Sequence, residues 1–80
     1  MFYVYILFSS SLQKYYVGST NDITKRLEQH NAGKGSYTRK GIPWKVLWQV
    51  VFSDRKEALT LEMRIKKRGA KRYLRDIGFA

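Results

Sequence analysis

Eighty residues, with sixteen Lys and Arg against six Asp and Glu, a net charge of +10, one histidine and no cysteine, narrow the range of roles at the outset. The length fits one domain, residues 1–80, burying only about 60–65% of its unfolded surface. Without cysteine there is no disulfide, thiolate zinc site or cysteine nucleophile, and one histidine excludes a multi-histidine metal centre.

The basic excess is spread along the chain. Residues 1–53 carry seven basic and two acidic side chains, residues 54–80 carry nine and four, and each part holds +5. Such a field on a folded domain favours nucleic acid, with ribosomal RNA and an anionic surface as weaker partners. No apolar run approaches the roughly 20 residues that span a bilayer. Met1-Phe2-Tyr3 lacks the basic start of a secretory signal. The expectation is a cytoplasmic chain with no membrane partner, read as a monomer.

The first element is a strand over Phe2 to Phe8. Tyr3, Tyr5 and Leu7 point one way and Phe2, Val4, Ile6 and Phe8 the other. Both sets are bulky, which predicts a central strand covered on both faces. A polar turn, Ser9 to Lys14, leads to a second strand over Tyr15 to Ser19, and the pair reads as a β-hairpin. Gly18 marks a close backbone approach or a bulge. A helix follows, capped at Thr20 or Asn21 and ending near Asn31-Ala32-Gly33. The segment Gly33 to Pro43 is a long basic loop, of a length that is often functional.

Trp44 to Phe52 is the third strand. A second helix starts at Asp54, with Glu57 completing a capping-box pattern, and runs to Lys67 or Arg68. Gly69 breaks it, and Ala70 to Ile77 forms a short basic helix. The order β-β-α-β-α-α gives an α+β fold, a small three-stranded antiparallel sheet flanked by helices.

Helical phase places three polar side chains beside apolar ones. In the first helix, Ile23 and Leu27 define the buried side, and Arg26 and His30 lie next to that stripe. In the second, Ala58, Leu61 and Ile65 mark the core face, and Glu62 falls near the middle of that arc. A carboxylate there must be paired, neutralised or metal-bound. Plainer roles exist: Glu62 paired with Lys66 one turn on, Arg26 lying along the surface, His30 as a helix cap, and the tyrosines as strand aromatics. Together the groups offer an acid or base, an anion clamp and a metal-ligating carboxylate on a basic domain.

At these residues the chain resembles the GIY-YIG nuclease superfamily, and within it the small single-domain bacterial branch (UPF0213-like) related to the nuclease module of UvrC. Tyr3-Val4-Tyr5 stands where the first signature tract lies, with Tyr3 in place of its glycine, and Tyr16-Val17-Gly18 where the second lies. The helix arginine falls on Arg26, a position that is often histidine on His30, and the metal-binding glutamate on Glu62. His30 to Gly35 and Tyr37-Thr38 resemble the loop of the small branch.

The resemblance implies hydrolysis of phosphodiester bonds in nucleic acid, DNA more than RNA, with one divalent cation, Mg²⁺ or Mn²⁺. It implies metal binding by Glu62, an anion clamp by Arg26, and handling of the attacking water by Tyr5 and Tyr16, with His30 beside them. Lys34, Arg39, Lys40, Lys66 and Lys67 are expected at the phosphate backbone. The alternative is a nucleic-acid-binding module of the same fold with negligible turnover.

Overall fold

The computed structural model describes residues 1–35 and 38–79. Three strands and three helices follow in the expected order: β1 (Phe2–Ser9), β2 (Lys14–Thr20), α1 (Ile23–Asn31), β3 (Trp44–Phe52), α2 (Arg55–Arg68) and α3 (Ala70–Asp76). The sheet runs β2-β1-β3, and both pairings are antiparallel. The bulky strand β1 is therefore central, as its two-sided apolar pattern requires.

Each face of β1 feeds its own core. Val4 and Ile6 join Val17 of β2 and pack against Ala58, Ile65 and Leu74 of α2 and α3. Tyr5 and Leu7 face the other way and pack with Trp44, Ile23 and Leu27, the last two from α1. One extra residue, Leu47, interrupts the β1–β3 register, because Ile6 pairs with Trp48 while Leu7 pairs with Val46. The bulge thus sits on β3 and not at Gly18.

Helix starts differ in detail from the sequence reading. The α1 cap is Asp22, whose carboxylate accepts from the Lys25 N–H at 3.0 Å. Thr20 instead takes the Asp22 N–H at 3.1 Å, ordering the turn before the helix. Asp54 caps α2 as expected, but on the Lys56 N–H at 3.0 Å, one position earlier than a capping box would use. The long loop contains a 3₁₀ turn, Thr38–Gly41, which carries no apolar periodicity that a sequence reading could detect. Gly41 leaves room for the Trp44 indole, which is buried against it.

Gly18 has a specific packing role. It pairs with Tyr5 across the hairpin, and a Cβ on it would meet the Tyr5 hydroxyl at 2.5 Å and its ring Cζ at 2.7 Å. Those are overlaps with a ring that is only 1% exposed, so neither group can yield without disturbing the core. Gly18→Ala is expected to cost about 1–3 kcal/mol, the usual range for overpacking. Urea unfolding of the two proteins checks this, and an unchanged midpoint would mean that Tyr5 can leave its place freely.

Candidate active site

The hairpin pairing places Tyr5 over Gly18 and Tyr16 opposite Leu7. Both tyrosines lie on the α1 side of the sheet, where α1 presents Arg26 and His30 one turn apart. The Tyr5 hydroxyl stands 3.3 Å from His30 Nε2. His30 Nδ1 stands 3.1 Å from the Thr38 hydroxyl. With the ring proton on Nδ1 donating to Thr38, Nε2 is left to accept from Tyr5. Tyr16 closes the cluster, its ring packing edge-on against His30 with centroids 4.9 Å apart.

Arg26 joins the two signature tracts. Its guanidinium couples electrostatically to Tyr5 and, more weakly, to Tyr16, while its Nη1 donates to Gln29 Oε1 at 3.5 Å. The Tyr5 side chain pushes the arginine pKa further up, against the opposing effect of burial, so the group stays cationic at every working pH. The rest of Arg26 is exposed, which leaves donors facing solvent. An exposed guanidinium beside two phenols has the chemistry to bind an anion.

Burial dominates the titration of the groups behind the clamp. The Tyr5 pKa is raised, chiefly by desolvation, although the Arg26 guanidinium pulls it down. The His30 pKa is lowered, first by desolvation and then by the Arg26 charge. Both are therefore neutral near pH 7. A tyrosine that serves as a base needs nearby positive charge to lower its pKa. That charge is present, but burial outweighs it, so Tyr5 acts as a phenol.

Glu62 approaches from the other face. Its Oε1 accepts from the Ser19 hydroxyl at 2.6 Å, and its Oε2 pairs with Lys66 at 2.8 Å. The side chain is 14% exposed. It is thus not in the middle of the core, as helical phase implied, but at the margin of α2 against edge strand β2. The i,i+4 pair with Lys66 does form. Ser19 follows Gly18 on the strand, so its side chain crosses to the opposite face and brings Glu62 to the same edge as Tyr5 and Tyr16. The Glu62 charge contributes to the rise in the Tyr5 pKa, well behind desolvation.

Three residues that sequence reasoning did not assign hold this frame. Ser19 anchors Glu62. Thr38 receives His30, and its backbone carbonyl accepts from the Trp44 indole N–H. Asn31 bonds both the Trp44 N–H and its carbonyl, at 2.6 and 3.1 Å, and ties the end of α1 to the start of β3. Asn31 adjoins His30 in the loop segment already singled out, and that is the only signal it carried. The basic residues divide into two groups. Lys34, Arg39 and Lys40 lie in the loop after α1, whereas Lys66 and Lys67 lie at the end of α2. Lys66 is engaged by Glu62. Tyr37 lies outside the described residues.

The lowered His30 pKa makes a signed prediction. In the unfolded chain the imidazole takes its proton near the ordinary value of about 6.5, and in the folded protein only at lower pH. As pH falls below about 6.5 the unfolded state binds more protons, so stability declines until the folded imidazole also titrates. His30→Gln should lose this part of the pH dependence. Urea midpoints measured from about pH 8 down to about pH 5 should diverge between the two proteins, and parallel profiles would contradict the assignment.

Similarity to known proteins extends over nearly the whole chain. Residues 1–74 match the GIY-YIG catalytic domain family. A UPF0213 protein of Streptococcus pyogenes is 42% identical over 67 residues, which is 82% of this chain and 72% of that protein. A UPF0213 protein of Cupriavidus pinatubonensis is 47% identical over 53 residues, 65% of this chain and 59% of that one. The match thus spans less than two thirds of the latter relative's length. The solution structure of the UPF0213 protein from Bacillus halodurans superposes with a TM-score of 0.59 at 30% identity, over 98% of this chain and 84% of that one. The central two-faced strand, the hairpin tyrosines, the helix arginine and the α2 glutamate all lie within the matched residues, and the chain belongs to the GIY-YIG catalytic domain family, among its UPF0213 proteins.

Proposed function

We propose that this chain is a nuclease that hydrolyses phosphodiester bonds in nucleic acid, DNA before RNA, with one divalent cation. A single observation carries the reading. The exposed guanidinium of Arg26 couples electrostatically to both signature tyrosines, and the next residue after Gly18 on the same strand holds the carboxylate of Glu62. A fixed cation, two phenols and one acid therefore converge on one strand edge of a chain with net charge +10. Its cysteine-free composition suits the reducing cytoplasm in which such a substrate is found.

The donor set fits a hard cation such as Mg²⁺ or Mn²⁺. Glu62 would hold it, with Ser19 fixing one carboxylate oxygen while the other is occupied only by the exposed head of Lys66. Among the described residues no group of three or more His, Asp or Glu could form a protein cage. One carboxylate with waters and substrate phosphate is the usual Mg²⁺ pattern. When bound, the ion polarises the phosphate and stabilises the leaving oxygen.

The chain's own residues supply the rest. Arg26 binds the non-bridging oxygens and strengthens its hold as charge develops. Tyr16, half-buried at the same edge, orients the phosphate or the attacking water through its hydroxyl. Tyr5 is buried behind the clamp. With the His30 ring proton on Nδ1 it donates to His30 Nε2, so a proton arriving at its oxygen has an acceptor 3.3 Å away. The neutral imidazole suits that task.

A second reading is a nucleic-acid-binding module with negligible turnover. It draws on the Lys66–Glu62 pair, which neutralises the lone carboxylate. Incubation of the wild-type chain with supercoiled plasmid and single-stranded DNA, with Mn²⁺ or with EDTA, separates the readings. Metal-dependent cleavage supports the nuclease, and retention without turnover in any divalent ion supports the module.

Two substitutions refine the test. Glu62→Gln keeps the shape and an oxygen for Ser19 but removes the charge, and it should abolish metal-dependent cleavage while the folded far-UV spectrum persists. Cleavage at the wild-type rate would remove Glu62 from the metal site. Arg26→Ala should slow single-turnover cleavage by roughly 10²-fold or more with little change in affinity, because many other basic residues hold the polyanion. The reverse pattern, weak binding with unchanged cleavage, would make Arg26 a binding residue only.

A further inference from the structure

Strand β2 is an edge strand, and its open side meets the corner where α2 ends and α3 begins. A groove of about 930 Å³ lies there, between residues 13–17 of the hairpin and residues 66–75 of the helices. All seven charged side chains that line it are basic. Two are already engaged, Lys66 by Glu62 and Arg68 by a two-bond contact with Asp76 at 2.8 and 3.0 Å. The other five, Lys14, Lys67, Lys71, Arg72 and Arg75, have no ion-pair partner among the described residues.

This is a costly arrangement for an empty surface. Lys71, Arg72 and Arg75 lie at i, i+1 and i+4 of a helix only 7 residues long. Lys71–Arg75 and Arg72–Arg75 are like-charge neighbours on one helical face, and such pairs weaken a helix. Lys14 and Lys67 add like charge around the same groove. Asp76 offsets this only at Arg75, and an anion entering the groove would relieve the rest. A single small anion cannot serve five cations spread around a groove this size, whereas a chain of phosphates can. Tyr16 and Lys66 also line the groove; Tyr16 packs on His30 of the candidate site and Lys66 pairs with Glu62. The loop cations Lys34, Arg39 and Lys40 do not line it.

We propose that this groove carries the sugar-phosphate backbone of nucleic acid toward the candidate active site, with Lys71, Arg72 and Arg75 on one wall and Lys14 on the other. The inference rests on the nucleic-acid reading above and assigns the backbone contacts to a surface other than the loop. Contacts to phosphate position the substrate without selecting sequence.

The test is a binding titration of the full chain with a short fluorescent DNA duplex, in EDTA so that nothing is cut, over a range of salt concentrations. Each phosphate neutralised contributes about 0.9 to the slope of log affinity against log salt. The triple variant K71Q/R72Q/R75Q should lower that slope by about 2 to 3 and weaken binding at least tenfold at the lowest salt. Lys14→Gln, on the strand wall, should lower the slope by about one and serves as the second variant should the triple change unfold α3. The control K34Q/R39Q/K40Q should move the slope less than the groove triple. Unchanged slopes in both groove variants, or a larger fall in the loop control, would overturn the proposal. Catalysis is read separately: a wild type that binds with the expected slope but cuts nothing with Mn²⁺ upholds the groove and removes the nuclease reading.

Discussion

The contact of Tyr5 with Gly18 is the constraint on which the candidate site depends. Strand β1 must be central, because both its faces are apolar and both need covering. Its neighbour β2 must then carry a residue without a side chain opposite Tyr5, or the ring could not lie across the strand. Glycine at position 18 satisfies this, and the Tyr5 hydroxyl is delivered to the place where α1 presents Arg26 and His30. Two signature tracts that look separate in the sequence are thus one packing unit.

Electrostatics at the site follow from burial more than from charge. A chain of net charge +10 would be expected to hold its tyrosines toward the ionised form. At Tyr5 the effect of Arg26 has that sign, yet desolvation exceeds it. The same desolvation keeps His30 uncharged, with the Arg26 charge acting in the same direction. The outcome is a neutral phenol and a neutral imidazole in hydrogen-bond reach, behind a permanently charged guanidinium. Under the proposed function, that division would let one group attract an anion while its neighbours move a proton.

The acid is kept apart from this cluster by the sheet itself. Side chains of adjacent strand residues point to opposite faces, so Gly18 meets Tyr5 while Ser19 meets Glu62. Placing both at the sheet edge lets groups from two faces converge without mixing the two cores. It also explains why the carboxylate is tolerated. Glu62 is bonded on both oxygens and partly hydrated, so the desolvation that penalises a buried charge is largely avoided. The basic groove continues along the same edge, which makes β2 the line along which the site, its acid and its charge are organised.

Much of the fold was legible in the residues because the signals are local. Alternation marked β1 and its two faces, Asp54 and Gly69 bounded α2, and the short polar turn required a hairpin. The candidate residues Tyr5, Tyr16, Arg26, His30 and Glu62 could be named from motif order and helical phase. What escaped depends on distances between elements. The Asp22 cap was missed because Thr20 and Asn21 are equally good cap formers and only the path of the turn selects among them. The 3₁₀ turn at Thr38–Gly41, the Asn31 clamp on Trp44 and the Ser19 anchor have no period to read. Helical phase put Glu62 on the core arc, but phase gives direction and not depth, and only the offset of α2 against β2 brought it to the margin. By itself the sequence determined which side chains exist to do chemistry and on which elements they lie. Tertiary structure alone decided which of them meet, which are charged and where the basic groove runs, because contact, desolvation and field depend on separations in space that no local pattern encodes.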